Sequence, residues 1–259
     1  MAAMLAYSVA VLLGAIIGSF LNVCIHRLPR RESIIWPPSR CPACAGPIAP
    51  QDNLPIIGYL LLAGRCRRCR APISLQYPLI ELANAIGYAL ILWRFGPRWE
   101  ALVYGLLFSA LLVVAGIDVS HQIIPNAITI PGIAVGLVAS ATVLPIGLLE
   151  SLVGVMVGGG ILWFLAWISP YVFGREGMGL GDVKLMAMVG AFLGWKPSLV
   201  AIMLGAIVGS IVGVSLMSLG IIERKDPIPF GPFLALGAVI SLFFHRELLV
   251  WYFGLLGPA

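Results

Sequence analysis

Eight stretches of this sequence are almost wholly apolar, and all but the sixth come close to the length that crosses a bilayer: residues 5–23, 77–93, 101–117, 124–144, 149–173, 183–193, 198–219 and 230–253. A hydrocarbon core about 30 Å thick needs about 20 helical residues. Within lipid every peptide group must find its partner inside the segment, so long unbroken apolar runs predict helices and not strands. Composition closes off the soluble alternative. Hydrophobic residues make up 60% and charged residues 10%, with mean hydropathy +1.02. Sixteen Lys and Arg plus 11 Asp and Glu cannot coat a soluble chain of 259 residues. The expected fold is an all-α integral membrane protein with about eight transmembrane helices. The sixth stretch is short and flanked by glycine. The first, running from Met4, has no basic segment before it and outlasts a signal peptide, so it reads as a retained span. Gly154, Gly158, Gly159 and Gly160, and then Gly205, Gly209 and Gly213, predict places where helices approach closely.

Basic residues give the orientation. Arg27, Arg30, Arg31, Arg40, Arg65, Arg67, Arg68, Arg70, Arg175, Lys184, Arg224 and Lys225 fall in one set of loops. Only Arg94, Arg98 and Lys196 fall in the other, and Arg246 lies in or beyond the last span. The positive-inside rule then puts the first set in the cytoplasm and both termini outside. A net charge of +5 is accounted for by this asymmetry and by anionic lipid, so no nucleic-acid partner is called for.

One substantial polar region interrupts the spans, residues 24–76, which divides the chain into a first helix (1–23), a cytoplasmic insertion (24–76) and a membrane portion of about seven helices (77–259). The insertion carries CPAC at Cys41 to Cys44 and CRRC at Cys66 to Cys69, separated by the 21 residues 45–65. Each pair can offer two thiolates to one ion, and four sulfurs suit tetrahedral zinc. So short an insertion has little apolar core, and a metal would supply folding energy directly. Two disulfides or plain thiols are the alternatives. A reducing cytoplasm disfavours the first, and Arg67 and Arg68 are expected to favour thiolates. Cys24, at the membrane edge, reads as a packing residue.

Isolated charge is costly in hydrocarbon, which makes carboxylates at a span or its edge functional candidates. Three qualify, all on the basic side. Asp118 ends the third span in GIDVSHQIIPN, Asp182 opens the sixth in GMGLGDVK, and Glu81 sits just inside the second in YPLIEL. Two carboxylates at one depth can share a proton and activate one water, an arrangement that hydrolyses peptides without metal or covalent nucleophile. Gly177, Gly179 and Gly181 suit backbone that leaves helical geometry before Asp182 and lets an extended substrate approach. The plainer alternatives are a helix-capping role for Asp182 and an interfacial loop position for Asp118. Helix-end fields make Asp118, after a span's C-terminus, the expected protonated partner and Asp182 the base. No GxSxG, GxGxxG or GxxxxGK[ST] occurs, and His26, His121 and His245 are scattered.

Six blocks, in order, carry a resemblance: GSFLNVCIHRLPR, CPACAGPIAPQDNLPIIGYLLLAGRCRRC, ISLQYPLIEL, DVSHQIIPN, EGMGLGDVKL and PIPFGPFLALG. The chain resembles the bacterial type IV prepilin peptidases, bifunctional leader peptidases and N-methyltransferases among the GxGD aspartic proteases. Gly58 stands where many members have serine, and Asn126 where Asp is frequent. The resemblance implies that Asp118 and Asp182 form the catalytic dyad, supported by Gly179, Gly181 and Lys184. It implies removal of a basic leader from prepilins or pseudopilins of type IV pili or type II secretion at the inner membrane's cytoplasmic face. It also implies methylation of the new N-terminus with S-adenosylmethionine, and Cys41, Cys44, Cys66 and Cys69 go with that dual activity. The same carboxylates in a transporter would relay protons or cations, but no inverted repeat accompanies them.

Overall fold

A computed structural model of the chain describes residues 2–173, 178–223, 226 and 228–255. Arg175, Gly177, Arg224 and Lys225, named above, lie outside them. The described residues are helical: α1 (Ala2–Arg27), a short α2 (Ile57–Leu61), α3 (Gln76–Phe95), α4 (Trp99–His121), α5 (Asn126–Thr142), α6 (Gly147–Phe173), α7 (Leu180–Leu193), α8 (Trp195–Ser218) and α9 (Gly231–Leu255). Among them no strand forms, and only two isolated bridges occur, Arg40 with Pro47 and Arg65 with Pro72. A helix therefore stands at every apolar stretch. Five of these helices, α1, α4, α6, α8 and α9, are long and apolar enough to cross a membrane. At 14 residues α7 is about 21 Å long, short of the hydrocarbon thickness, while α5 has 17 residues and α3 is diluted by Glu81, Asn84 and Arg94.

Two compact units divide the chain inside α4, one reaching Val113 and the other starting at Val114. In the first, α1 and α3 run antiparallel. A Cβ on Gly14 would lie 2.8 Å from the Ala85 Cα, and one on Gly18 would lie 2.7 Å from the Glu81 Cα. Side-chain amides bind this seam where no water competes: Asn22 donates to the Tyr77 carbonyl (3.1 Å) and Asn84 to that of Gly14 (2.8 Å). Ser109 of α4 donates to Asn84 (3.0 Å).

The second unit is built round α7, which is buried at every position from Leu185 to Leu193. A stretch that is apolar all round, as Leu185–Leu193 is, belongs to a core helix, and its neighbours cover it in place of lipid. Its fit to α6 requires glycine on both sides, because Gly154 and Gly190 face each other backbone to backbone. A Cβ on Gly158 would lie 2.5 Å from the Met186 carbonyl oxygen, and Ser151 donates to the Ala191 carbonyl at 2.6 Å. Gly205 and Gly209 admit Leu234 and Phe233 of α9 in the same way. Gly160 is the exception among the glycines singled out, with nothing within 4 Å of a Cβ.

Candidate active site and cysteine centre

Asp182 lies in the first turn of α7, where its amide donates to the Gly179 carbonyl (3.2 Å). Gly179 is extended (φ −78°, ψ 145°) and its position leaves a Cβ 3.6 Å from Asp182 Oδ2, an ordinary contact. Gly181 has no such room, since a Cβ there would sit 2.8 Å from Ile124 Cβ. Asp118 lies one turn before the end of α4, its carbonyl accepting from the Gln122 amide (2.8 Å). Its carboxylate Oδ2 accepts the backbone N–H of Gly231 at 2.9 Å. Gly231 opens α9, so this bond uses one of the donors that a helix start leaves free. A Cβ on Gly231 would come 2.7 Å from Asp118 Oδ2 and 3.2 Å from Ile124 Cδ1. The two aspartates are 5% and 8% exposed.

Ile124 is thus the wedge of this arrangement, touching the glycine before Asp182 and the glycine that holds Asp118. The expected proton assignment loses its ground here. Asp118, expected to follow a helix C-terminus, lies inside α4. Its carboxylate meets the N-terminus of α9, so both aspartates face a helix start. Lys184 is also placed: its Nζ donates to Asn126 Oδ1 at 2.9 Å and ties α7 to the first residue of α5. Sequence reasoning assigned no role to Gly231 or Ile124. The available signal was Gly231-Pro232 at a helix start, the glycine exposing its amide and the proline needing none.

Glu81 belongs to the first unit and does something else. It is buried, 7% exposed, and its Oε2 accepts the Ile56 amide at 2.6 Å. Ile56 has φ +62° and ψ −50°, a conformation that a β-branched residue adopts only when its surroundings impose it. At Gly58 a Cβ would run into the Asp52 carbonyl, so a serine there would need this turn to open.

The four cysteines converge. Cys41, Cys44, Cys66 and Cys69 each bring Sγ within 4.8 Å of the others, and Cys41 and Cys69 are 3.8 Å apart. Zinc–sulfur bonds of about 2.3 Å in a tetrahedron give an edge of about 3.8 Å, so the spacing fits one ion. The knuckles repeat each other as RCPACAGPI at 40–48 and RCRRCRAPI at 65–73. In each, the first cysteine's carbonyl accepts from a residue of positive φ four positions on, Ala45 (2.9 Å) or Arg70 (3.0 Å). This repeat was visible in the sequence and was missed. The amides of Cys69 and Arg68 hold the Cys66 thiol down at about 6. Backbone, and not the expected guanidinium charge, therefore favours that thiolate. Arg67 turns instead to Asp52, with Nη2 to Oδ1 at 2.6 Å, and holds that carboxyl below its usual range. Cys24 is buried, as a packing residue is expected to be.

Residues 12–95 match the family model of the bacterial peptidase A24 N-terminal domain, and residues 105–214 match that of the type IV leader peptidase family. Among curated relatives, the prepilin leader peptidase/N-methyltransferase of Pseudomonas aeruginosa is 38% identical, with 92% of this chain and 90% of the relative aligned. The proteins of the same name from Stutzerimonas stutzeri and Aeromonas hydrophila are 37% and 36% identical, covering 94% and 95% of this chain and 92% and 93% of theirs. No solved structure matches the chain. With two buried aspartates in one matched region, cysteine knuckles in the other and 36–38% identity over nearly the full length of these relatives, the chain belongs to the type IV leader peptidase family.

Proposed function

We propose that this protein is a membrane aspartic endopeptidase that removes the leader from type IV prepilins or pseudopilins and methylates the exposed N-terminus. The observation that carries the reading is the convergence of two buried aspartates on Ile124, which lies against Gly181 beside Asp182 and against Gly231, whose N–H holds Asp118. One carboxylic acid donates a hydrogen bond to the scissile carbonyl while the other, ionised, takes a proton from water. The water oxygen bonds to the carbonyl carbon, the C–N bond breaks, and the leaving amine takes the proton that the first acid releases. Gly231 and Ile124 position the pair, and Lys184 holds α7 to α5 through Asn126. Such a dyad needs no metal at the reacting carbonyl.

Cys41, Cys44, Cys66 and Cys69 would hold a zinc ion whose contribution is a tetrahedral cross-link between the two knuckles, giving the insertion a core. The methylating activity rests on the name the relatives carry. Among the described residues no glycine-rich strand-to-helix turn offers a seat for S-adenosylmethionine, and no step is assigned to it. The three-part division at residues 23 and 76, eight membrane crossings, the basic loops and dyad in the cytoplasm and both termini outside complete the proposal. A pilin-type substrate suits that orientation, its apolar helix in the bilayer and its basic leader at the surface. Purified protein in nanodiscs, incubated with a prepilin and methyl donor, should release the leader and add one methyl, as read by mass spectrometry. An intact precursor after incubation with folded, metal-replete protein would refute the assignment.

A further inference from the structure

We infer that α2, inside the polar insertion, is a membrane anchor whose apolar face lies in the lipid at the boundary between headgroups and acyl chains. Ile57, Leu60 and Leu61 follow the i, i+3, i+4 spacing of one helix face and are 54%, 68% and 75% exposed, an unusual surface for a segment in water. Depth decides what covers it. The Ile56 amide, at the start of α2, is bonded to Glu81, five residues inside α3 and hence about 7 Å beyond its first residue. Glu81 in turn stands opposite Gly18, nine residues and about 13 Å before the end of α1. The positive φ at Ile56 is a conformation that its surroundings impose, and the bond to Glu81 is part of what holds it.

Interfacial helices bury their apolar faces by about 5 to 10 Å, the depth at which Glu81 fixes α2. Phe20 of α1 and Leu79 and Leu82 of α3 lie at similar levels along the α1–α3 seam and are 48%, 59% and 45% exposed, so the spans also present apolar surface at this depth. The occupant is therefore acyl chain, and the cysteine knuckles are tied to the bilayer surface through the turn at residues 50–53 and the Asp52–Arg67 pair.

This inference rests on α1 and α3 crossing the bilayer but not on catalysis. The test replaces Leu60 or Leu61, one at a time in the full-length metal-replete protein, with a diazirine-bearing leucine analogue. After reconstitution in phosphatidylglycerol and phosphatidylethanolamine nanodiscs and illumination, mass spectrometry identifies the adduct. Phe20 and Arg68 carry the same probe as controls for lipid and water. Lipid adducts are expected to predominate at positions 60 and 61 as they do at 20. Water adducts at 60 and 61 with lipid adducts at 20 would overturn the anchor while leaving the spans intact, and cross-links to a second copy of the chain would overturn it too. Water at position 20 would remove the membrane depth on which it stands.

Discussion

At the scale of single residues, the aspartates and the glycines beside them make different demands. Asp118→Asn and Asp182→Asn are each expected to lower leader cleavage by a hundredfold or more, about the contribution of a positioned acid or base. Folding should be unaffected, since the amide can keep the Gly231 N–H as a donor to its oxygen. Cleavage at the wild-type rate by either variant would take that residue out of the chemistry. Gly181→Ala should be the damaging glycine change, because its Cβ meets Ile124 at 2.8 Å, whereas Gly179→Ala meets only an ordinary 3.6 Å contact. Overpacking of this kind costs about 1 to 3 kcal/mol and would move Asp182 relative to Asp118. Steady-state kinetics should show kcat falling for Gly181→Ala with KM little changed, and partial recovery when Ile124→Val is added. Equal losses at 179 and 181 would contradict the steric account. Both aspartates were legible in the sequence because charge is rare in apolar spans. Ile124 was not, since nothing in QIIP distinguishes a wedge from a loop residue.

At the scale of elements, the cysteine insertion and α7 are stabilised by unlike means. Structural zinc contributes about 10 to 16 kcal/mol in small metal-folded domains, far more than one ion pair whose guanidinium is more than half exposed. Cys44→Ser should therefore release the metal and open the insertion to protease, whereas Arg67→Ala should do neither, although both lie in knuckles. Elemental analysis is expected to find one zinc per chain in the wild type and in Arg67→Ala. Four titratable thiols in metal-free, protease-resistant wild type would sink the metal site. For α7 the device is backbone contact. Gly190→Leu would drive a side chain into Gly154 and should lower the melting temperature in detergent far more than Gly160→Leu, which meets open space. The glycine pattern on α6 announced a close approach. Which glycine met a neighbour depended on the helix's rotation, which an all-apolar sequence does not encode.

For the whole molecule, the asymmetry of basic loops leads to a labelling prediction. In right-side-out vesicles, an impermeant amine reagent should reach Lys196 but not Lys184, and the reverse pattern would invert the topology. The sequence by itself determined the helical membrane class, the places of the helices, the two CxxC pairs and the buried carboxylates. These follow from local chemistry, because apolar length, thiol spacing and the cost of buried charge are properties of short segments. Tertiary structure alone decided that α7 is a covered core helix, that the Gly231 amide holds Asp118, and that Glu81 draws α2 down beside α3. Each of these joins residues distant in the chain, and a hydrogen bond across 113 positions, as between Asp118 and Gly231, exists only once packing has brought two helix ends together.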